Sequence, residues 1–200
     1  MATTLEQGPA LQWPEESRLS RTQIGMTLGA VAAGIVIGLV SSMGRKIAVQ
    51  SAATRNRDWD EVLQLEHRAV EALLNELLAT EGSETSKRTA LLAKIKQALL
   101  KHAIEEENAI YPALKRIDAQ QEGDGLFEEH AEIKKALYDL DRMEKADATF
   151  LPRVRDLADL LSRHVQEEES NLYPRLKRSM TAKECTQATS RIWKEGLKLA

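Results

Sequence analysis

Cysteine, aromatic side chains and excess positive charge are all scarce in this chain, and each scarcity removes a class of explanation. There is one cysteine, Cys185, so the chain cannot close a disulfide on itself or hold an iron–sulfur cluster with its own thiolates. Aromatics make up 4% of the residues. Ala, Leu, Glu and Lys dominate instead, a composition that points to an all-α protein. The net charge is −3, which offers no basic face for nucleic acid. No Ser-His-Asp, Cys-His or phosphate-loop constellation is present. Two hundred residues suffice for one domain with its own core and an appendage.

Charge is missing altogether between Thr22 and Gly44. Residues 24–43 are apolar or small, long enough as a helix to span the hydrocarbon core of a bilayer. Arg18 and Arg21 precede this run, and Arg45, Lys46, Arg55 and Arg57 follow it. The expectation is a single-pass membrane anchor, with the positive-inside bias leaving the C-terminal part in the cytoplasm. Gly25, Gly29, Ala30, Gly34 and Gly38 recur at four-residue spacing within the run. Small residues at that spacing let two such helices approach, so a homodimer through this face is a further expectation. The chain then divides into a polar tail (1–22), the transmembrane helix (23–44), a basic juxtamembrane linker (45–57), a helical bundle (58–180) and a C-terminal helix (181–200).

From Asp58 onward, apolar residues recur at helical spacing. A first helix is expected over 59–79, striped by Val62, Leu63, Val70, Leu74, Leu77 and Leu78. A second is expected over 86–117. The glycines at 123 and 125 predict a break, and a third helix is expected over 126–145, with Phe127, His130, Ile133, Leu137, Leu140 and Met143 inward. Pro152 suits the first position of a fourth helix running to about Ser179. Thr181 and Glu184 have capping-box spacing, opening a last helix whose Ile192, Trp193 and Leu197 would dock on the rest. Four helices of similar length with short connections describe an up-down-up-down four-helix bundle.

The most informative feature is a repeat. His102 to Arg116 and His164 to Arg178 share the pattern H-x-x-E-E-E-x-x-x-Y-P-x-L-K-R, 62 residues apart. The chain has four histidines, and the other two, in Glu66-His67 and Glu129-His130, are also in register, 63 residues apart. Positions i and i+4 of a helix lie about 40° apart around the axis. His102 therefore shares a face with Glu106, and His164 with Glu168, on stripes that otherwise carry Leu and Ile. His67 and His130 fall on the apolar stripes of their own helices. An ionised Glu in a bundle core is costly unless a cation compensates it. His67, His102, Glu106, His130, His164 and Glu168 thus form a candidate ligand set of four imidazoles and two carboxylates. That is too many donors for a closed tetrahedral zinc site and too nitrogen-rich for calcium or magnesium. It suits a pair of first-row metals bridged by the two Glu, with iron, manganese or zinc all compatible.

Several neighbours need separate readings. Glu71 lies one turn after His67 and is a possible further ligand, although its counterpart after His130 is Lys134. Glu66 and Glu129 point about 100° from the adjacent His, which suits support of a ligand or a surface place. Glu105, Glu107, Glu167 and Glu169 are expected on solvated faces. Tyr111-Pro112 and Tyr173-Pro174 lie nine residues past a ligating His, about 180° around a regular helix, which favours a packed phenol beside a Pro kink. The other reading is that the kink turns each phenol toward the site. Cys185 is expected to be a plain thiol.

These residues resemble the hemerythrin-like, HHE cation-binding domains over roughly 58–179. The resemblance rests on the twofold H-x-x-x-E…Y-P phrase and on the two single histidines. It implies a four-helix bundle with a non-haem di-iron centre held by His67, His102, Glu106, His130, His164 and Glu168. Oxygen-carrying relatives place a fifth histidine where this chain has Lys134, which weighs against reversible oxygen carriage. Iron–sulfur repair relatives carry a cysteine-bearing N-terminal extension that is absent here. The implied role is a membrane-anchored protein that binds dioxygen, nitric oxide or iron. The alternatives are a di-iron enzyme (peroxide or nitric oxide reduction, ferrous iron oxidation) and a structural membrane protein stabilised by metal.

Overall fold

A computed structural model of the protein describes residues 57–199, which fold into six α-helices. The expected polar tail, the membrane span with its small-residue face, and all but the last residue of the basic linker lie outside the described residues. Among the described residues no helix is long and apolar enough to cross a membrane.

The bundle helices are α1 (Trp59–Leu78), α2 (Thr85–Ala109), α3 (Gln120–Arg142) and α4 (Phe150–Glu167). After α2 the chain tightens into a 3₁₀ segment, Tyr111–Ile117. After α4 it widens into a π-turn, Glu168–Leu172, which leads into α5 (Tyr173–Ser179). The accessory helix α6 (Ala182–Lys198) follows. Its capping box forms as expected: the Glu184 N–H donates to Thr181 Oγ1 at 3.3 Å, and the Thr181 N–H donates to Glu184 Oε2 at 2.8 Å.

The core is split into two apolar clusters. One holds Leu74, Leu77, Leu92, Ile95, Leu137, Phe150 and Leu157. The other holds Trp59, Leu63, Ile110, Leu114, Leu126, Leu172 and Leu176, together with Ile192 from α6. On α1 and α3 the second cluster precedes the histidine and the first follows it; on α2 the order reverses, and along α4 the first cluster runs up to Val165 with the second reached beyond the helix at Leu172. This alternation is the signature of an up-down-up-down bundle, and it places the histidines in a polar layer between the clusters. Each large apolar side chain buried in these clusters contributes about 1.5–3 kcal/mol, which offsets the expense of that polar layer.

Far from the polar layer, Arg88 ties two turns together. Its Nε donates to Thr80 Oγ1 at 2.8 Å and its Nη1 to the Lys145 carbonyl at 2.7 Å.

Four expectations need correction. The glycines at 123 and 125 do not break the chain, because α3 begins at Gln120 and runs through both. Gly123 serves close approach instead: a Cβ there would lie 2.7 Å from Leu114 Cδ1 on the crossing 3₁₀ segment. Pro152 is the third residue of α4, still within the first turn, where its missing N–H costs nothing. Phe127 is 53% exposed and Leu197 41% exposed. Phe127 lies instead beneath the Lys134 ammonium, 5.8 Å from the ring centre.

Candidate metal centre

His67 on α1, His102 and Glu106 on α2, His130 on α3, His164 on α4 and Glu168 at the π-turn converge in the polar layer. All six are at most 6% exposed. Their donor atoms form two groups: His67, His102, Glu106 and Glu168, and Glu106, His130, His164 and Glu168. Within each group the donor atoms lie within 4.8 Å of one another. The two groups share both carboxylates. Glu71 belongs to neither group, and Lys134 sends its amine away from the cluster, to Glu107 Oε1 at 2.7 Å.

The imidazoles are oriented by a second set of acids. His67 Nδ1–H donates to Glu169 at 2.7 Å and His130 Nδ1–H to Glu107 at 2.9 Å, each reaching across to the other half. His102 Nδ1–H donates to Glu66 at 3.0 Å and His164 Nδ1–H to Glu129 at 2.8 Å, each within its own half. A carboxylate can only accept, so these contacts assign the proton to Nδ1 and leave the Nε2 lone pair turned inward. Glu107 and Glu169 are therefore not on solvated faces, and Glu105, 1% exposed, is buried as well. Their roles were hidden because a continuous run of Glu resembles a charged surface.

Inward lone pairs meet lone pairs. His67 Nε2 faces His102 Nε2 at 2.8 Å, and His130 Nε2 faces His164 Nε2 at 3.1 Å. Glu106 Oε2 lies 3.2 Å from His102 Nε2 and 3.3 Å from His130 Nε2. Glu168 Oε2 lies 3.4 Å from His67 Nε2 and 3.5 Å from His164 Nε2. Such an assembly of acceptors is stable only around positive charge. Titration behaviour agrees. Burial opposes the charged form of His102, yet the Glu106 carboxylate outweighs it and raises the imidazole well above its ordinary range. Burial likewise opposes ionisation of Glu106, and the positive charge of His102 overcomes it and holds the acid well below its ordinary range. Protons and metal ions compete for the same lone pairs, so this donor set fits bound metal cations.

Both tyrosines point into the site, contrary to the regular-helix expectation. Tyr111 donates to Glu168 Oε1 at 2.7 Å, and Tyr173 donates to Glu106 Oε1. Neither helix stays regular between its Glu and its Tyr, so the spacing of about 180° does not hold. α2 ends at Ala109, and Ile110 (φ −108°, ψ −55°) is the junction to the 3₁₀ segment that Tyr111 opens, while the π-turn Glu168–Leu172 underwinds the chain ahead of Tyr173; each phenol follows such a departure and points inward. Burial, reinforced by the two carboxylates, pushes both phenols well above their ordinary pKa, so they remain proton donors.

On the side away from the phenols, a small apolar cavity of about 20 Å³ touches all four histidines. Val70, Leu99, Ile133, Leu137, Leu161 and Val165 wall it, and it has room for about one small molecule.

Glu66 sits in a further ion cluster. Lys101 Nζ donates to Glu66 Oε1 at 2.5 Å and to Glu105 Oε2 at 2.7 Å. Burial would raise the pKa of Glu66, but Lys101 and His102 hold it well below the usual carboxylate range. Burial and the neighbouring Glu66 charge push Glu105 up to about 9.

Comparison with known proteins agrees with this geometry. Residues 60–176 match the model of the hemerythrin HHE cation-binding domain. A crystal structure of a hemerythrin HHE cation-binding domain-containing protein from Mycobacterium kansasii superposes with a TM-score of 0.63. It covers 72% of this chain and 87% of that one at 20% identity, a likeness of fold. A DNA nickase of Nostoc sp. is 28% identical over 145 residues, which is 70% of this chain and 41% of the nickase. An uncharacterized hemerythrin-like protein of Schizosaccharomyces pombe is 28% identical over 96 residues, 46% of this chain and 47% of that protein. The chain thus spans less than half the length of these curated relatives. With more than half of its residues matched by the family model, the chain belongs to the hemerythrin HHE cation-binding family.

Proposed function

We propose that the protein is a membrane-anchored binding protein that holds a non-haem di-iron centre and uses it to sense, buffer or handle dioxygen, nitric oxide or iron. The observation that carries this reading is the sharing of Glu106 and Glu168 between two His-pair groups. His67 and His102 would hold one ion and His130 and His164 the other, with Glu106 and Glu168 available to both, a donor count that would leave room for an exchangeable small ligand. Iron suits this mixed nitrogen and oxygen set; manganese and zinc are compatible with the same donors. When bound, the ions supply Lewis acidity and, for iron, redox chemistry. The chain's own part is to keep each Nδ1–H on its carboxylate, to exclude bulk water with two apolar clusters, and to admit a small ligand by the cavity beside the imidazoles.

Residues 24–43 would anchor the domain on the cytoplasmic side of a membrane, and their small-residue face would allow pairing. A protease applied to sealed vesicles tests the orientation: with the domain inside, residues 58–200 stay intact until the vesicles are opened.

A second reading is an enzyme, favoured by the two buried phenols that donate to the shared acids, since tyrosine can supply a proton or an electron to a bound substrate. One experiment separates the two. The full chain is loaded anaerobically with ferrous iron, and its optical spectrum is followed on adding dioxygen and then peroxide. An oxo-bridge band that reverses under vacuum supports binding. Repeated peroxide turnover with bleaching and recovery supports the enzyme. No bound metal above background overturns both.

A further inference from the structure

The accessory helix α6 lies beyond the stretch that matches the family, which ends at residue 176. It nevertheless reaches the candidate metal centre through a chain of contacts. α6 is fixed along α2 and the 3₁₀ segment that follows it at three levels. Arg116 donates to Glu184 at 2.5 Å, Ile192 is buried in the apolar cluster beside Tyr111, and Asn108 donates to Glu195 at 3.1 Å. At its far end Gly196 lies directly on the Lys101–Glu105 pair. A Cβ at position 196 would land on Glu105 Oε1 and come within 3.0 Å of Lys101 Cε. Lys101 grips Glu66, and Glu66 accepts the Nδ1–H of His102.

The repeat supplies an internal control. The counterparts of Lys101, Glu105 and Glu66 in the second half are Arg163, Glu167 and Glu129. Arg163 and Glu167 are exposed. The Glu129 side chain is 39% exposed against 22% for Glu66, and the buried Glu105 carboxylate has no buried equivalent. Water therefore reaches the acid that orients His164 more freely than the ion cluster that orients His102, in which the Lys101 and Glu66 side chains are 24% and 22% exposed and Glu105 is buried.

We propose that α6 is a positioning element of the metal centre: it covers the Lys101–Glu105 pair of the cluster behind His102 and makes the two metal positions unequal. The position formed with His67 and His102 exchanges its ion slowly, and the one formed with His130 and His164 exchanges quickly. The absence of a side chain at Gly196 is the feature that permits this close cover, because a side chain there displaces the Glu105 carboxylate from Lys101. This inference rests on the two-metal reading above.

The test uses the full chain loaded with cobalt(II), whose visible bands report bound ion, and an excess of EDTA. The wild type is expected to release cobalt in two phases of equal amplitude. Gly196→Leu and Lys101→Met are each expected to accelerate the slow phase by at least about tenfold, the scale set by loss of a ligand's supporting partner, and to leave the fast phase unchanged. Arg163→Met, at the equivalent place in the other half, is expected to change neither. A single wild-type phase overturns the inference, and so does equal acceleration of both phases, which would mean that α6 merely stabilises the bundle. If Gly196→Leu loses its helical circular dichroism, Lys101→Met decides alone, and an unchanged slow phase in that variant overturns the inference. Fewer than two cobalt ions per wild-type chain sinks the two-metal reading and this inference with it. Two ions released in one phase sinks only the inference.

Discussion

Beyond Glu106 the first half of the bundle tightens into a 3₁₀ segment; beyond Glu167 the second half loosens into a π-turn. Both routes deliver a phenol to the shared acids, Tyr111 to Glu168 and Tyr173 to Glu106. The orienting acids are also paired by symmetry, with Glu66 and Glu129 serving their own halves and Glu107 and Glu169 serving the opposite ones. What differs is the surroundings. The first half lies beneath α6 with a half-buried lysine and two acids, whereas the second presents the equivalent positions to water. Contacts aimed at the centre follow the repeat, and contacts behind it do not, so a duplicated site can be tuned from the rear without disturbing the donors.

The strongest way to break the symmetry is to remove a shared acid. Glu106→Ala or Glu168→Ala removes a donor from both groups, and each variant is expected to lose both bound ions. Elemental analysis of the desalted protein checks this. Loss of one ion only would mean that the carboxylates do not serve two positions.

A sharper comparison sets Glu66→Ala against Glu129→Ala. The first strips a hydrogen-bonded acid from Lys101 and His102 and is expected to lower metal-free stability by about 2–3 kcal/mol. The second removes an acid open to water and is expected to cost under about 1 kcal/mol. Urea unfolding of the two variants measures the difference, and equal values would remove the contrast between the halves.

Tyr111→Phe and Tyr173→Phe probe whether the two backbone routes are equivalent. Each deletes one buried hydroxyl that donates to a carboxylate, a loss of about 1.5 kcal/mol. Matching shifts in the urea midpoint are expected; a loss in one variant alone would mean that only one phenol is firmly held.

The smallest effects lie within α3. Gly123→Ala pushes a methyl against Leu114 and is expected to destabilise by about 1 kcal/mol. Gly125→Ala meets nothing within 4 Å and is expected to stabilise by about 0.5–1 kcal/mol. Thermal melts of both variants give the sign, and two shifts of the same sign would contradict the close approach at Gly123.

Much of this was legible in the residue pattern. The stripes of α1 and α2, the alternating bundle and the convergence of His67, His102, Glu106, His130, His164 and Glu168 follow from 3.6-residue periodicity and from the repeat. The start of α3 was not legible, because a glycine kept for close packing looks the same as a glycine that ends a helix. The phenols are misplaced by a regular-helix reading because the chain leaves α geometry at Ile110 before Tyr111 and across Glu168–Leu172 before Tyr173, and Pro112 and Pro174 mark a departure from regularity without giving its sense. Glu105, Glu107 and Glu169 were hidden within acidic runs. Within those runs Glu106 and Glu168 are the acids at i+4 from a histidine of the cluster; the burial of their neighbours depends on helices far away in sequence, including α6.

The central claim is that four inward imidazoles and two shared acids hold two ions. The most direct test is the number of metal ions retained per full chain after anaerobic ferrous loading and desalting. The account predicts two per chain; one or none would contradict it.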